Sequence, residues 1–441
     1  MTFNCIPQKT SHIITQYRTI MTKIPVPESL PILNDLAKYE ARSMHGQLPV
    51  VWDRAEDFQV FDKWGNCWID FTSTIFVANI GHSNPEIIKA LKKQLNQKLI
   101  HNYIFPHEIR AKFLKKLIEV TPTYLTRAFL LSSGTEATEC AIKLMRIYGQ
   151  TINPRKLGII SFRGGMHGRT MAAEMLKGDS ASSPWIGYRD PNIYHFPFPC
   201  SQKSNFLKDI EKLKQQGLKT NTICGFMIES YQGWSAMFYP QSYIKDLYDF
   251  AKRYNILITF DDIQGGFGRT GKLFAYQYYD VKPDLVCLGK GLSGGLPLSA
   301  VLGKGDIMNL PKISSMSSTH SGNPLCCAAA LANLKELYRK NLIEESARKG
   351  KILHAYLAEL KKRYHIYIFH IYGKGLLAAV VVKNATLANQ ICEQAMRKGL
   401  LLVHTGRESI KIGPPLTIPD DALLEGLDVL NESISEIVGK K

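Results

Sequence analysis

A chain of 441 residues with 55 basic and 38 acidic side chains has a formal charge of +17; 45% of it is hydrophobic and 21% charged. That length can bury a large core in two or three domains, and the composition excludes disordered and collagen-like chains. Nine scattered cysteines without a CxxC pair point to reduced thiols rather than to disulfides or a zinc site.

Taken in chain order, the N-terminus MTFNCIPQKT has no apolar signal core, so a cytoplasmic protein is expected. Residues 1 to about 50 read as irregular, since the prolines of IPVPESLPI (24–32) forbid a long helix there. FQVFDKWGNCWIDF (58–71) reads as a hairpin turning at Lys63-Trp64-Gly65-Asn66. Lys89, Lys92, Lys93, Lys112, Lys115 and Lys116 are spaced as solvated helix faces. They are not a concentrated basic stripe, so no nucleic-acid partner is expected.

Beyond residue 85, short apolar runs alternate with helical patterns. The predicted strands are AFLLS, LGIISF, CGFMIES, NILITF and PDLVCLG. Between the first two, Ala137, Cys140, Ala141, Leu144, Met145 and Tyr148 repeat at helical spacing over Thr135–Tyr148. Such alternation predicts an α/β fold around a largely parallel sheet. From Leu331 a long amphipathic helix leads into strands IYIFHIYG and GLLAAVVV, a helix, and LLLVHT, which together read as a smaller α+β domain. Even GLLAAVVV is far shorter than the roughly 20 apolar residues that cross a membrane, so no membrane partner is expected.

In an open parallel sheet, function gathers at the carboxyl ends of the strands. Those ends carry Ser132-Ser133-Gly134-Thr135, then Met166-His167-Gly168, then Glu229, then Asp261, Asp262 and Gln264, and then Lys290. Ser133 to Thr135 read equally as a plain helix cap or as an anion site. Asp261 and Lys290 read as a buried ion pair or as two sides of a cofactor site. Two GxGxxG matches occur, at 266–271 and 289–294. Asp261, Asp262, Ile263 and Gln264 separate the first from its apolar strand, and no strand ending in an acidic residue follows about 20 positions on, since Asp284 begins one instead, so the dinucleotide reading fails.

FDDIQGGFGRTG, LGKGLSGGLPLSAVL, LSSGTEATECAIKL, MHGRT and STHSGNPLCCAAALA resemble the class III pyridoxal-phosphate aminotransferases, over most of the chain from GHSNPE to GPPLTI. The resemblance implies fold type I, the aspartate aminotransferase-like architecture. It gives an N-terminal segment 1–80 contributing to the small domain, a large cofactor-binding domain 81–330 and a small C-terminal domain 331–441. It implies a homodimer with shared active sites, and ping-pong transfer of an amino group from an amino acid or amine to a keto acid, ketone or aldehyde. A racemase or aminomutase on the same residues is the alternative.

By the same resemblance, Lys290 would hold pyridoxal 5'-phosphate as a Schiff base and move the substrate proton, while Asp261 would pair with the pyridine nitrogen. Gln264 would contact the phenolic oxygen, and Ser133, Gly134 and Thr135 the phosphate. Met166 and His167 would lie beside the ring with Glu229 nearby, and Thr319 would reach the phosphate of the neighbouring subunit. The chain departs from the commonest family pattern at four positions. Met166 replaces an aromatic residue, and Asp262 a glutamate. Trp234 stands where many members carry a switch glutamate, and Lys411 where many carry the arginine that grips a carboxylate. Arg407, four residues before Lys411, is a candidate substitute, which makes Trp234, Arg407 and Lys411 the substrate-binding candidates.

Overall fold

The computed structural model describes residues 3–439, and everything said of the structure refers to these. They form two compact units. The larger comprises Pro85–Gly233 and Met237–Ile343. The smaller comprises the segment up to Asn84, Trp234–Ala236 and the chain from Glu344 onward.

The larger unit is built on a seven-stranded sheet in the order Arg127–Leu131, Ser299–Gly303, Leu285–Leu288, Leu257–Asp261, Ile223–Glu229, Gly158–Phe162, Ile193–Phe196. All five predicted strands are present. Ser299–Gly303 runs antiparallel to both neighbours while the other adjacent pairs are parallel, so the sheet is mixed and mostly parallel. Only ten residues separate Leu288 from Ser299, enough for an antiparallel return but short for the helical crossover that a parallel neighbour requires. Helix Gly134–Ile152 covers the sheet through Ala137, Ala141, Leu144 and Met145, which pack with Ile159, Cys224, Met227 and Val301 in one buried cluster.

The smaller unit contains a four-stranded antiparallel sheet, Ile368–Lys374, Leu377–Val382, Ser409–Ile412, Val403–His404. A second sheet includes the expected hairpin, Gln59–Phe61 against Cys67–Asp70. Here Ile20, Ile24, Val60, Trp68, Met396 and Leu401 form a buried cluster.

Two expectations are corrected. The first fifty residues contain a ten-residue helix, Leu30–Tyr39, with Pro31 in its first turn, where a missing N–H leaves no hydrogen bond unmade. The long helix expected from Leu331 is two helices, Pro324–Arg339 and Leu342–Arg363. Asn341 between them takes a left-handed φ of 49°, a conformation that asparagine tolerates and a helix does not. No helix among the described residues is long and apolar enough to cross a membrane.

Candidate active site

Glu229 and Asp261 end neighbouring parallel strands and pair directly in register; Asp261 pairs on its other side with Cys287, three residues before Lys290. Sheet registry therefore puts two carboxylates and a lysine at one edge. A cavity of about 100 Å³ opens there, lined by Gly134, Thr135, Met166, His167, Gly168, Glu229, Ser230, Tyr231, Asp261, Ile263, Gln264, Gly265 and Lys290. A larger hollow of about 870 Å³ lies among helices Pro85–Asn96, Glu108–Val120 and Pro324–Arg339 and holds none of these residues.

At one side of the cavity helix Gly134–Ile152 begins. Ser133 caps it by accepting from the Glu136 amide at 3.3 Å, while Glu136 Oε2 accepts from the amides of Ser132 and Ser133, both at 2.8 Å. The first-turn amides of Gly134 and Thr135 have no carbonyl within the helix to bind, and the helix dipole is positive there, which suits an anion. Gly168 faces the same turn with φ +136°; a Cβ at this position would stand 2.2 Å from Thr135 Oγ1.

Asp261 is held on both oxygens. His167 Nδ1 donates to Oδ2 at 2.8 Å, and the Ile263 amide to Oδ1 at 3.2 Å. Burial works against a charge on His167, but the carboxylates of Asp261 and Glu229 outweigh it and raise its pKa. Burial pushes the Glu229 carboxyl up to about 7, although the Gly233 amide donates to its Oε1 at 3.0 Å. Asp262, also buried, is pushed to about 7 and faces the Ser230 hydroxyl and the amides of Ala275 and Tyr276.

Lys290 has a left-handed φ of 45°, a strain of the kind that a non-glycine residue retains only where its surroundings fix it. Asn333, fully buried, fixes them by donating to the carbonyls of Gly291 and Leu292 at 2.9 and 3.1 Å. Burial lowers the Lys290 pKa against the opposing pull of Asp261 and Glu229. A lowered pKa favours the neutral amine needed for attack on a carbonyl carbon.

Of the residues singled out in the sequence, Gly134, Thr135, Met166, His167, Glu229, Asp261, Gln264 and Lys290 line the one cavity, and Ser133 is the adjoining cap. Thr319 is not among the lining residues; its carbonyl accepts from His101 Nε2 at 2.9 Å. Trp234, Arg407 and Lys411 belong to the smaller unit. There the Arg407 guanidinium lies over the Trp234 ring at 4.8 Å and Ser409 Oγ donates to the Trp234 carbonyl at 2.8 Å. Lys411, 2% exposed, lies over the Phe76 ring at 4.5 Å. Sequence reasoning missed Tyr231 in the cavity wall and Asn333 beneath the Lys290 turn. Tyr231 sits two residues beyond the Glu229 strand end, a signal that was available. Asn333 had none, because a helical asparagine 43 residues from Lys290 carries no local mark.

The aminotransferase class-III family model matches residues 40–434. The chain is 32% identical over 426 residues to ornithine aminotransferase of Emericella nidulans, covering 94% of this chain and 91% of that protein. It is 34% identical over 409 residues to 2-aminoadipate transaminase of Pseudomonas putida, covering 88% and 96%. Acetylornithine aminotransferase from Elizabethkingia anophelis superposes with a TM-score of 0.79 at 29% identity, covering 92% of this chain and 99% of that one. A cavity at the carboxyl edge of the sheet, with a lysine, a carboxylate and a helix N-terminus around it, accords with these likenesses. The chain belongs to the class III aminotransferases and is a pyridoxal-phosphate-dependent enzyme of that family.

Proposed function

We propose that the cavity at the strand ends is the transamination site, with Lys290 as its catalytic lysine and Asp261 as the carboxylate facing the cofactor's ring nitrogen. The observation that carries this reading is registry. Asp261 and Lys290 follow adjacent parallel strands to one edge of the sheet and line one cavity. When bound, pyridoxal phosphate supplies an electron sink for the carbon that bears the amino group.

The chain's own residues do the rest. The amides of Gly134 and Thr135, beyond the Ser133 cap, hold the phosphate. Met166, in the cavity wall, would pack against the ring, a thioether contact in place of an aromatic one, and Gln264 would meet the phenolic oxygen. Asp261, itself hydrogen-bonded by His167, would hold the ring nitrogen in its protonated form through a charge-assisted hydrogen bond. Lys290, whose burial favours the neutral amine, would be the residue that holds the cofactor's carbonyl group and the base that moves the proton to and from the substrate. Lys290→Ala is expected to lose the yellow absorbance of the bound cofactor and at least four orders of magnitude of turnover. A yellow, active variant would sink the assignment.

Substrates are an amino donor and a carbonyl acceptor. The relatives named for ornithine and 2-aminoadipate make diamino and dicarboxylic amino acids the donor classes to try first. For the carboxylate grip we favour Arg407 over Lys411. Arg407 is exposed on a hairpin loop and has no carboxylate partner among the described residues, whereas Lys411 is buried in a strand. We also infer a homodimer. Helix Leu30–Tyr39 has no buried residue and exposes Ile32, Leu36 and Tyr39, and a ten-residue amphipathic helix is marginal in water unless its apolar face is covered. The cytoplasm is our reading of its compartment, on nine free thiols of which seven are buried.

A further inference from the structure

Thr170 Oγ1 donates to Glu139 Oε1 at 2.6 Å, and the same carboxylate oxygen accepts the amides of Ala172 and Ala173 at 3.1 and 3.2 Å. Thr170 Oγ1 also lies 2.6 Å from Thr135 Oγ1. A hydroxyl has one proton, and that of Thr170 goes to Glu139. In the contact with Thr135, Thr170 is therefore the acceptor, and Thr135 donates. The Thr135 hydroxyl, on the wall of the cavity, thus has its proton turned toward Thr170 by a carboxylate one hydroxyl further on. A glycine at 168 leaves the room that Thr135 Oγ1 occupies in this contact.

We propose that Glu139, acting through Thr170, is a positioning residue that sets which form of the phosphate the cradle holds best; this rests on the reading of Thr135 as a phosphate ligand. A dianionic phosphate offers only acceptors and competes with Thr170 for the Thr135 proton. A monoanionic phosphate has a P–O–H group that donates to the Thr135 lone pairs and leaves the chain of hydroxyls intact. Phosphate esters lose that second proton near pH 6. The relay therefore weakens the grip on the cofactor at alkaline pH, and makes bound phosphate easier to protonate than it would be without Glu139 and Thr170.

Thr170→Val removes the acceptor while keeping the shape of the side chain, and so frees the Thr135 proton for the phosphate. The test compares wild type, Thr170→Val, Thr170→Ser and Thr135→Val as holoenzymes. It reads the pyridoxal-phosphate dissociation constant at pH 5.5 and 8, and the pH titration of the bound phosphate by phosphorus NMR. The charged groups at the cavity are Lys290, His167, Asp261 and Glu229, with Glu136 and Glu139 on the helix, Arg169 just before Thr170, and Glu174 in the short helix Met171–Met175. All are common to the four proteins.

Thr170→Val is expected to bind the cofactor about tenfold tighter at pH 8, the scale of one hydrogen bond to a charged acceptor. Its affinity at pH 5.5 is expected to be unchanged, and its phosphate to titrate at lower pH than in wild type. Thr170→Ser, which restores the relay, is expected to behave as wild type. Equal or weaker binding by Thr170→Val at pH 8, or an unmoved titration, overturns the relay. Should Thr170→Val fail to fold, Glu139→Gln, which keeps the acceptor oxygen but removes its charge, must move the titration in the same direction or the proposal fails. If Thr135→Val binds the cofactor as well as wild type does at pH 5.5, where the P–O–H group would donate to the Thr135 lone pairs, Thr135 is not a phosphate ligand. The assignment of the cradle then falls, and the relay with it.

Discussion

His167 donates from Nδ1 to Asp261 Oδ2 across 2.8 Å with both side chains nearly buried. The pair lies 94 residues apart in sequence and joins the loop after strand Gly158–Phe162 to the end of strand Leu257–Asp261. Its consequence for pH follows from the raised pKa of His167. A histidine whose folded pKa is raised contributes stability that is fully present below the unfolded value, about 6.5. That stability is lost as pH rises through the folded value. His167→Asn keeps a neutral donor toward Asp261 and removes the titrating charge. The variant is expected to unfold at lower temperature than wild type at pH 6, with the gap narrowing as the pH is raised past neutrality. Thermal unfolding across that range measures it, and a gap that widens with pH would mean that His167 is neutral in the fold.

Gly168 is the position where a single methyl should do most damage to the cradle. Its φ of +136° is strained for any L side chain, and the added Cβ would meet Thr135 Oγ1 at 2.2 Å. Gly168→Ala is expected to cost about 1–3 kcal/mol, the scale of a residue held in a sparsely populated conformation. Because the displaced group is Thr135, the loss should appear in the dissociation constant of pyridoxal phosphate, at least tenfold, and not only in the melting temperature. An alanine variant that melted early yet held the cofactor as tightly as wild type would show that the turn can move without disturbing the cavity.

Arg407 and Lys411 share a hairpin but differ in environment, and that difference separates their expected phenotypes. The Arg407 side chain packs on Trp234 and is otherwise solvated, so Arg407→Ala should fold normally. It should raise KM for a keto-acid acceptor at least tenfold and leave the half-reaction with a simple amine nearly unchanged. Lys411, buried over Phe76 in the strand Ser409–Ile412, should when replaced by alanine lower stability before it alters specificity. If instead Lys411→Ala raises the keto-acid KM in a well-folded protein and Arg407→Ala does not, the carboxylate grip belongs to Lys411.

The strand-end residues were legible because each stands where an apolar run stops, and a parallel sheet brings such stops to one edge. Glu229, Asp261 and Lys290 needed no knowledge of side-chain packing to be grouped. What escaped was set by distance or by disguise. Ser299–Gly303 hides in the glycine-rich LGKGLSGGLPLSAVLGKG, where its small residues resemble the loop before it. Ile193–Phe196, with Tyr194 and His195 at its centre, lacks the apolar character of a core strand because it lies at the edge of the sheet. The link between Thr170 and Glu139, and that between Trp234 and Ser409, depend on tertiary placement across 31 and 175 residues, and no local pattern encodes either.

Thr319 provides the sharpest test of the proposed homodimer with shared sites. Its carbonyl is tied to His101, whose ring lies 5.1 Å from that of His320, and neighbouring Asn323 donates to the Ile100 carbonyl at 3.0 Å. These contacts anchor the Thr319 segment to a stretch that exposes Ile100, Tyr103, Ile104 and Phe105. An exposed apolar cluster of that kind suits an interface between copies, and it would carry Thr319 to the partner's phosphate. Lys290→Ala and Thr319→Ala, each crippled alone, should therefore complement one another when mixed under conditions that exchange subunits. In the mixed dimer one site collects both defects, while the other has an intact Lys290 and receives an intact threonine from its partner. Recovery toward a quarter of wild-type activity is expected, since about half of the dimers would be mixed and each would carry one good site. If Thr319 served the site of its own chain, every site in the mixture would remain defective, and no mixing ratio would restore turnover.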